Sequence, residues 1–293
     1  MLLSPAHGGG QEYHTNTYMV IDAHQHFWQY QPVRDAWIDE SMQVIRRDFL
    51  PEDLIPVLED NGVHGCIAVQ ADQSVEETSF LLSLAEKHDF IKGVVGWIDL
   101  RADNIHEQLQ QYAGHPLLKG FRHIVQAEPD FNFLLGGDFC RGIKALAQHQ
   151  FTYDILVYPK QLPAVEEFVQ LFPDQALIID HLAKPYVKTG ELAEWAAQMR
   201  RIARAPHVYC KLSGLVTEAD WQQWKPAHFR PFLEVALEAF GANRLVYGSD
   251  WPVCLLAAQY HEVKHIVTDF ISTLSTSEQQ QIMGGNACSF YHL

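Results

Sequence analysis

The stretch FTYDILVYPKQLPAVEEFVQLFPDQALIID, residues 151–180, decides the fold. It opens on an apolar run, Phe151–Tyr158, and passes Pro163 into an amphipathic segment, Ala164–Leu171. It then returns to a second apolar run, Ala176–Asp180. Runs this continuous suit strands covered on both faces, the setting of a parallel sheet with helices packed against it. A proline early in a helical pattern sits where its missing N–H is not needed. Outward from this unit the same alternation recurs. Met19–Asp22, Gly65–Gln70, Lys92–Leu100 and Leu118–Val125 come before it, and Val208–Leu212 and Arg244–Tyr247 come after, eight runs in all. Between them, Asp72–Lys87 places Ser74 three residues before Glu77, a capping-box spacing, and Pro231 reads as the opening of Phe232–Phe240. Eight strands alternating with helices predict a single α/β domain, the (β/α)8 barrel, which needs about 250 residues. The competing open, doubly wound sheet is weakened because no G-x-G-x-x-G follows any run.

The chain has 293 residues, of which 47% are hydrophobic and 19% charged, the balance of an ordinary globular domain. Its formal charge of −15 argues against nucleic acid, whose phosphates require a basic surface. No apolar run reaches the ~18 residues that a membrane span requires. Cys66, Cys140, Cys210, Cys254 and Cys288 contain no C-x-x-C pair, and a reducing cytoplasm is the expected compartment. Residues 1–18, with three consecutive glycines and no signal-peptide pattern, read as a disordered extension ahead of a barrel over 19–293.

In such a barrel the chemistry sits at the C-terminal ends of the strands. The first run ends Asp22-Ala23-His24-Gln25-His26, and on a strand the two histidines share a face. The sixth ends Asp180-His181, and the eighth leads into Tyr247-Gly248-Ser249-Asp250-Trp251-Pro252. His24, His26, His181 and Asp250 together make a ligand set for one divalent metal, with zinc the usual taker.

Those four positions resemble the signature of the amidohydrolase superfamily. Closer still are KGFRHIVQ (119–126), YDILVYPKQLPA (153–164), IDHLAKP (179–185), KLSGLVTEADW (211–221), YGSDWPVC (247–254) and GGNACSFY (284–291), which resemble its sugar-lactonase branch. The resemblance runs from about residue 19 to the end. It implies hydrolysis of a sugar-acid lactone, typified by L-fuconolactone. Asp250 would take a proton from water and return it to the ring oxygen, while a metal or the histidines hold the oxyanion. A dicarboxylate lactone and non-oxidative decarboxylation are the alternatives on the same barrel. Binuclear members need a lysine at the end of strand four and a histidine at strand five. Here Lys119 stands at the start of its run and the fifth run has no histidine, so one metal at most is expected.

Substrate contacts are expected from the remaining strand ends. Arg122 and His123 adjoin, so a strand turns them to opposite faces, and Arg122 is the favoured inward residue. Trp28, Trp251, Trp97 and Tyr158 could pack against a sugar ring. Tyr153 and Asp154 begin their run and are expected at the wrong end of the barrel for chemistry. Lys184 and Lys211 read equally as substrate contacts or as salt-bridged cations, and Lys211, inside an apolar strand, must find a partner. His261-Glu262-Val263-Lys264-His265 matches the zinc-protease pattern H-E-x-x-H. A step of about 100° per residue turns both histidines away from the apolar face of Val263 and Val267, so the match is a decoy.

Overall fold

The structure, a computed structural model, describes residues 18–293, so the expectation for the N-terminal extension falls almost wholly outside the described residues. Eight parallel strands follow one another in sheet order: β1 (Ile21–Gln25), β2 (Gly65–Val69), β3 (Ile91–Gly96), β4 (Leu118–His123), β5 (Thr152–Ile155), β6 (Leu177–Ile179), β7 (Val208–Leu212) and β8 (Leu245–Tyr247). The sheet closes just beyond β8, where Gln25 bridges in parallel to Trp251 and His26 N donates to Trp251 O at 2.7 Å. Helices α1 (Pro51–Asp60), α2 (Val75–Ala85), α3 (Ile105–Gln111), α4 (Gly137–Gln148), α5 (Leu162–Leu171), α6 (Ala193–Ile202), α7 (Pro226–Phe240) and α8 (Tyr260–Ile271) alternate with the strands and follow the last of them. Two short helices, α9 (Thr276–Gln280) and α10 (Asn286–Tyr291), end the chain. This is the barrel that the alternation predicts.

Two apolar layers hold it together. The larger lies between sheet and helices and includes Phe121, Tyr153, Phe139, Phe168 and Trp195. The smaller fills the barrel itself with Ile21, Ala23, Ile67, Val69, Val95, Ile178 and Val246, and α10 adds Ala287, Phe290 and Tyr291. The barrel is therefore a packed core below its polar mouth.

Local departures from the sequence reading have identifiable causes. Ser74 caps α2, its hydroxyl accepting from Glu77 N at 3.2 Å, but the Glu77 carboxylate does not return to Ser74. It accepts instead from Ala71 N at 2.5 Å and Asp72 N at 2.9 Å, pinning the turn that follows β2. Pro231 does not open its helix. Pro226 does, and the buried face begins at Phe229, which packs on Trp224. The longer apolar face of Phe229, Phe232, Leu233, Ala236 and Phe240 outweighs the one backbone bond that Pro231 cannot donate.

Candidate active site

The strand that carries His24 and His26 is bulged. Asp22 pairs with Cys66 but Gln25 with Ala68, so β1 holds one more residue than β2 over this interval. The extra residue changes which side chains face inward. Asp22 points out of the barrel, where it accepts from Tyr260 Oη at 2.9 Å and from Ser249 N at 2.8 Å. Ala23 joins the barrel interior, and His24 and His26 both turn into the mouth. There His24 Nε2 lies 3.9 Å, His26 Nε2 3.3 Å and His181 Nε2 3.8 Å from a single atom, Asp250 Oδ1. The four residues named from the strand ends thus meet at one point.

Their orientations are fixed from behind. His26 Nδ1 faces the carbonyl of Val69 at 2.7 Å, and His181 Nδ1 faces Ser213 Oγ at 2.8 Å. A carbonyl can only accept, so His26 carries a proton on Nδ1, and Nε2 is the nitrogen turned toward Asp250. Gly214 makes room for His181: at φ +64° it would, as alanine, bring Cβ to 2.5 Å of the ring. Asp250 itself holds φ 60°. After β6 the chain makes a left-handed turn, with His181, Leu182, Ala183 and Lys184 all near φ 50–56°. Each non-glycine residue there costs about 1–2 kcal/mol against the right-handed form, so the rest of the fold must impose the turn.

Below the mouth lies a buried charge network. Lys211 donates to Asp154 Oδ2 at 2.5 Å and sits 2.9 Å from Asp180 Oδ1 and 3.2 Å from His24 Nδ1. Arg122 donates to Asp180 Oδ2 at 3.1 Å and to the carbonyl of Gln70, and approaches His24 Nε2 at 3.3 Å. Tyr291 of α10 donates to Asp154 Oδ2 at 2.9 Å. Asp154 was expected away from the site; it faces the barrel interior and is joined to His24 through Lys211. Register decides this, because Asp154 pairs with Arg122 and with Ile178, both inward residues. Burial pushes the Asp180 carboxyl up, but Lys211, His24 and Arg122 more than offset it and hold it well below the usual range. Burial likewise holds His24 and His181 well below the ordinary imidazole value, which favours neutral rings. For Asp250, burial is outweighed by the His181 and His26 imidazoles and Lys184, so the carboxyl is lowered.

A cavity of about 300 Å³ opens over these groups, lined by His26, His181, Asp250, Arg122, Lys184, Trp28 and Trp37 among others. Of the expected substrate contacts, Arg122 and Trp28 reach it. His123 does not: it faces the helices, stacked on Phe133 and 2.7 Å from Glu128 Oε1. Trp97 goes with it, its indole N–H directed at His123 Nδ1. Trp251 is buried against Phe27 and Phe49, a strut of the barrel seam. Tyr158 is half-buried, its ring 5.7 Å from the Nζ of the cavity residue Lys184. The sequence reading missed Trp37, on the segment after β1, and Asp180, whose run looked simply apolar. His261 and His265 are exposed on α8, as the decoy reading requires.

The donor set fits one divalent cation. The atoms of His24, His26 and Asp250 lie within 4.8 Å of one another, as do those of His24, Asp180 and His181. Charge bookkeeping agrees: Arg122 and Lys211 offset two of the three interior carboxylates Asp154, Asp180 and Asp250, leaving one negative charge among the histidines.

Comparison with known proteins agrees with this geometry. A family model described as amidohydrolase matches residues 21–293. An L-fucono-1,5-lactonase of Burkholderia multivorans is 44% identical over 93% of this chain and 96% of its own length. A second L-fucono-1,5-lactonase, from Burkholderia ambifaria, is 35% identical over 93% and 95%. The crystal structure of an amidohydrolase from Burkholderia multivorans with bound zinc superposes with a TM-score of 0.90 at 43% identity, covering 94% of this chain and 99% of that one. With the match spanning the whole barrel, from β1 to the last residue, this chain belongs to the amidohydrolase family.

Proposed function

We propose that this chain is a lactonase that opens a six-membered sugar-acid lactone of the L-fucono-1,5-lactone class. The observation that carries the reading is the full-length similarity to two L-fucono-1,5-lactonases, at 44% and 35% identity. The site supports it with a carboxylate and three imidazoles at the base of a cavity of sugar size. These relatives do not favour the dicarboxylate-lactone and decarboxylase alternatives.

All three imidazoles approach Asp250 through Oδ1, which leaves Oδ2 available to a water. Asp250 takes a proton from that water as its oxygen adds to the lactone carbonyl carbon. The carbonyl electrons move onto oxygen, and the tetrahedral oxyanion forms beside the cations that line the cavity. When the oxyanion collapses, the bond to the ring oxygen breaks and Asp250 returns its proton there, giving a hydroxy acid. A divalent ion, zinc by the donor set, would be held by His24, His26, His181 and Asp250 and would polarise the carbonyl. Arg122 keeps Asp180 and His24 in place, and Trp28, its indole N–H on Arg47 O at 2.9 Å, offers a fixed apolar wall to the sugar. Five free cysteines fit a reducing cytoplasm. No helix among the described residues is long and apolar enough to cross a membrane.

The test is a panel of aldono-lactones with acid release followed by a pH indicator. L-fucono-1,5-lactone should rank at or near the top, with 2-pyrone-4,6-dicarboxylate and aromatic acids inert. Carbon dioxide release, or turnover of the dicarboxylate alone, would overturn the reading.

A further inference from the structure

Lys184 is a cation that lines the cavity within reach of the charge that develops there. It is the fourth residue of the left-handed turn that begins at His181, and its amide closes that turn on His181 O at 2.7 Å. In a turn with hydrogen bonds three residues apart, positions i and i+3 lie one above the other. The His181 and Lys184 side chains therefore leave on the same side, and both reach the cavity. A backbone conformation that disfavours all four of its residues delivers two side chains to one place.

The ammonium is also held and only partly used. Lys184 Nζ donates to Glu218 Oε1 at 3.1 Å, and Glu218 stands on the segment after β7. That spends one of its three donors and, among the described residues, it makes no other hydrogen bond. Arg122, the other cation at the cavity, is differently placed. Both its terminal nitrogens are engaged, by Asp180, His24 and Gln70, and its Nε is enclosed. Lys184 is thus the cation with donors to spare for a substrate.

We propose that Lys184 is a catalytic residue that donates to the lactone carbonyl oxygen and holds the negative charge as water adds. This assignment rests on the lactonase reading above. Lys184 keeps its proton throughout: it hydrogen-bonds the oxyanion, the returning electrons expel the ring oxygen, and that oxygen takes its proton from Asp250. Glu218 positions the ammonium before substrate arrives, so no reorganisation is needed during the reaction.

The experiment compares wild type with Lys184→Met and Lys184→Ala on L-fucono-1,5-lactone, with thermal unfolding and metal content recorded for each. Lys184→Met should lose about 10²–10³ in kcat, the usual effect of removing an oxyanion donor, with KM within about threefold of wild type. Unfolding temperature and metal content should be unchanged, and ethylammonium should restore part of the rate to Lys184→Ala. A lysine that merely tied two loops together would lower the unfolding temperature and give no such rescue. A Lys184→Met enzyme that keeps more than about a tenth of wild-type kcat, or loses only in KM, overturns the assignment. If folded wild type opens no lactone at all, the lactonase reading fails and takes this one with it; an active wild type beside an active variant overturns this one alone.

Discussion

The backbone amide of Asp250 donates to the backbone carbonyl of His24 at 2.8 Å. The carboxylate proposed as the base and one of the imidazoles around it are therefore joined across the seam that closes the barrel. Main chain, not side chain, sets their separation. Behind them Asp22 fastens the same seam, accepting from the backbone N–H and the hydroxyl of Ser249. Side-chain substitutions in the mouth can thus alter chemistry while the closure of the sheet survives.

Asp250→Asn should therefore fold as wild type and lose turnover. Asparagine keeps the shape and an acceptor but takes no proton from water at neutral pH. The expected loss in kcat is about 10²–10⁴ from general base and acid chemistry alone, and more if metal is lost as well. Steady-state kinetics with metal analysis of the same preparation separates the two. A variant that keeps more than about a tenth of the wild-type rate, against that expected loss, would remove Asp250 from the proton's path.

His261→Ala and His265→Ala should leave both metal content and kcat where they are. Both rings lie on the solvent side of α8, opposite the buried Tyr260, Val263, Ile266, Val267 and Ile271. Loss of metal from either variant, read by atomic emission, would show the H-E-x-x-H match to be a real site.

How much of this was legible beforehand follows from where information sits along the chain. Strand ends are legible because apolar runs stop there, so His24, His26, His181 and Asp250 could be named from one sequence. Depth inside the barrel is not. Asp154 looks like the start of a strand, and only its register against Arg122 and Ile178 places it beside Lys211. The β1 bulge leaves no mark in Asp22-Ala23-His24, although it decides that Asp22 faces Tyr260 rather than the cavity. The left-handed turn is silent too, because His181-Leu182-Ala183-Lys184 contains none of the glycines that usually announce one. His123 misled for the converse reason: a histidine at a strand end reads as functional until its neighbours Phe133 and Glu128 are seen.

Glu77 should give the fold a pH dependence that glutamine removes. Burial, only partly countered by the Ala71 and Asp72 amides, raises its carboxyl from 4.5 to about 7. The folded chain then holds a proton between these values that the unfolded chain has released. Stability attributable to Glu77 is therefore greatest below about 4.5, falls as pH rises through the window, and levels off above about 7. The whole effect is at most roughly 3.5 kcal/mol, from a shift of that size at about 1.4 kcal/mol per unit. Both amides donate to the same oxygen, Oε1, so the carbonyl of glutamine can accept them in its place. Urea unfolding at pH 5 and pH 8 should show a smaller difference for Glu77→Gln than for wild type. Equal differences would mean that the carboxyl titrates as it does in the unfolded chain.

The buried pair of Lys211 and Asp154 should show energetic coupling in a double-mutant cycle. Both side chains are fully buried, and Lys211 Nζ donates to Asp154 Oδ2 at 2.5 Å. Lys211→Met strips the cation from Asp154, whose other partner is the Tyr291 hydroxyl, while Asp180 keeps Arg122. Breaking a buried pair from one side usually costs about 3–5 kcal/mol, because the remaining charge has lost both its water and its counter-ion. Asp154→Asn alone should cost less, since Lys211 still has Asp180 at 2.9 Å and the amide oxygen can accept from Tyr291 and from the lysine. The double variant removes both charges, so its loss should fall short of the sum of the singles by at least about 1 kcal/mol, in the range seen for residues in one network. Urea midpoints at constant m would give all four corners of the cycle. Additivity within about 0.5 kcal/mol would mean that the two residues do not share their energy, and that Lys211 owes its place to Asp180 and His24 alone.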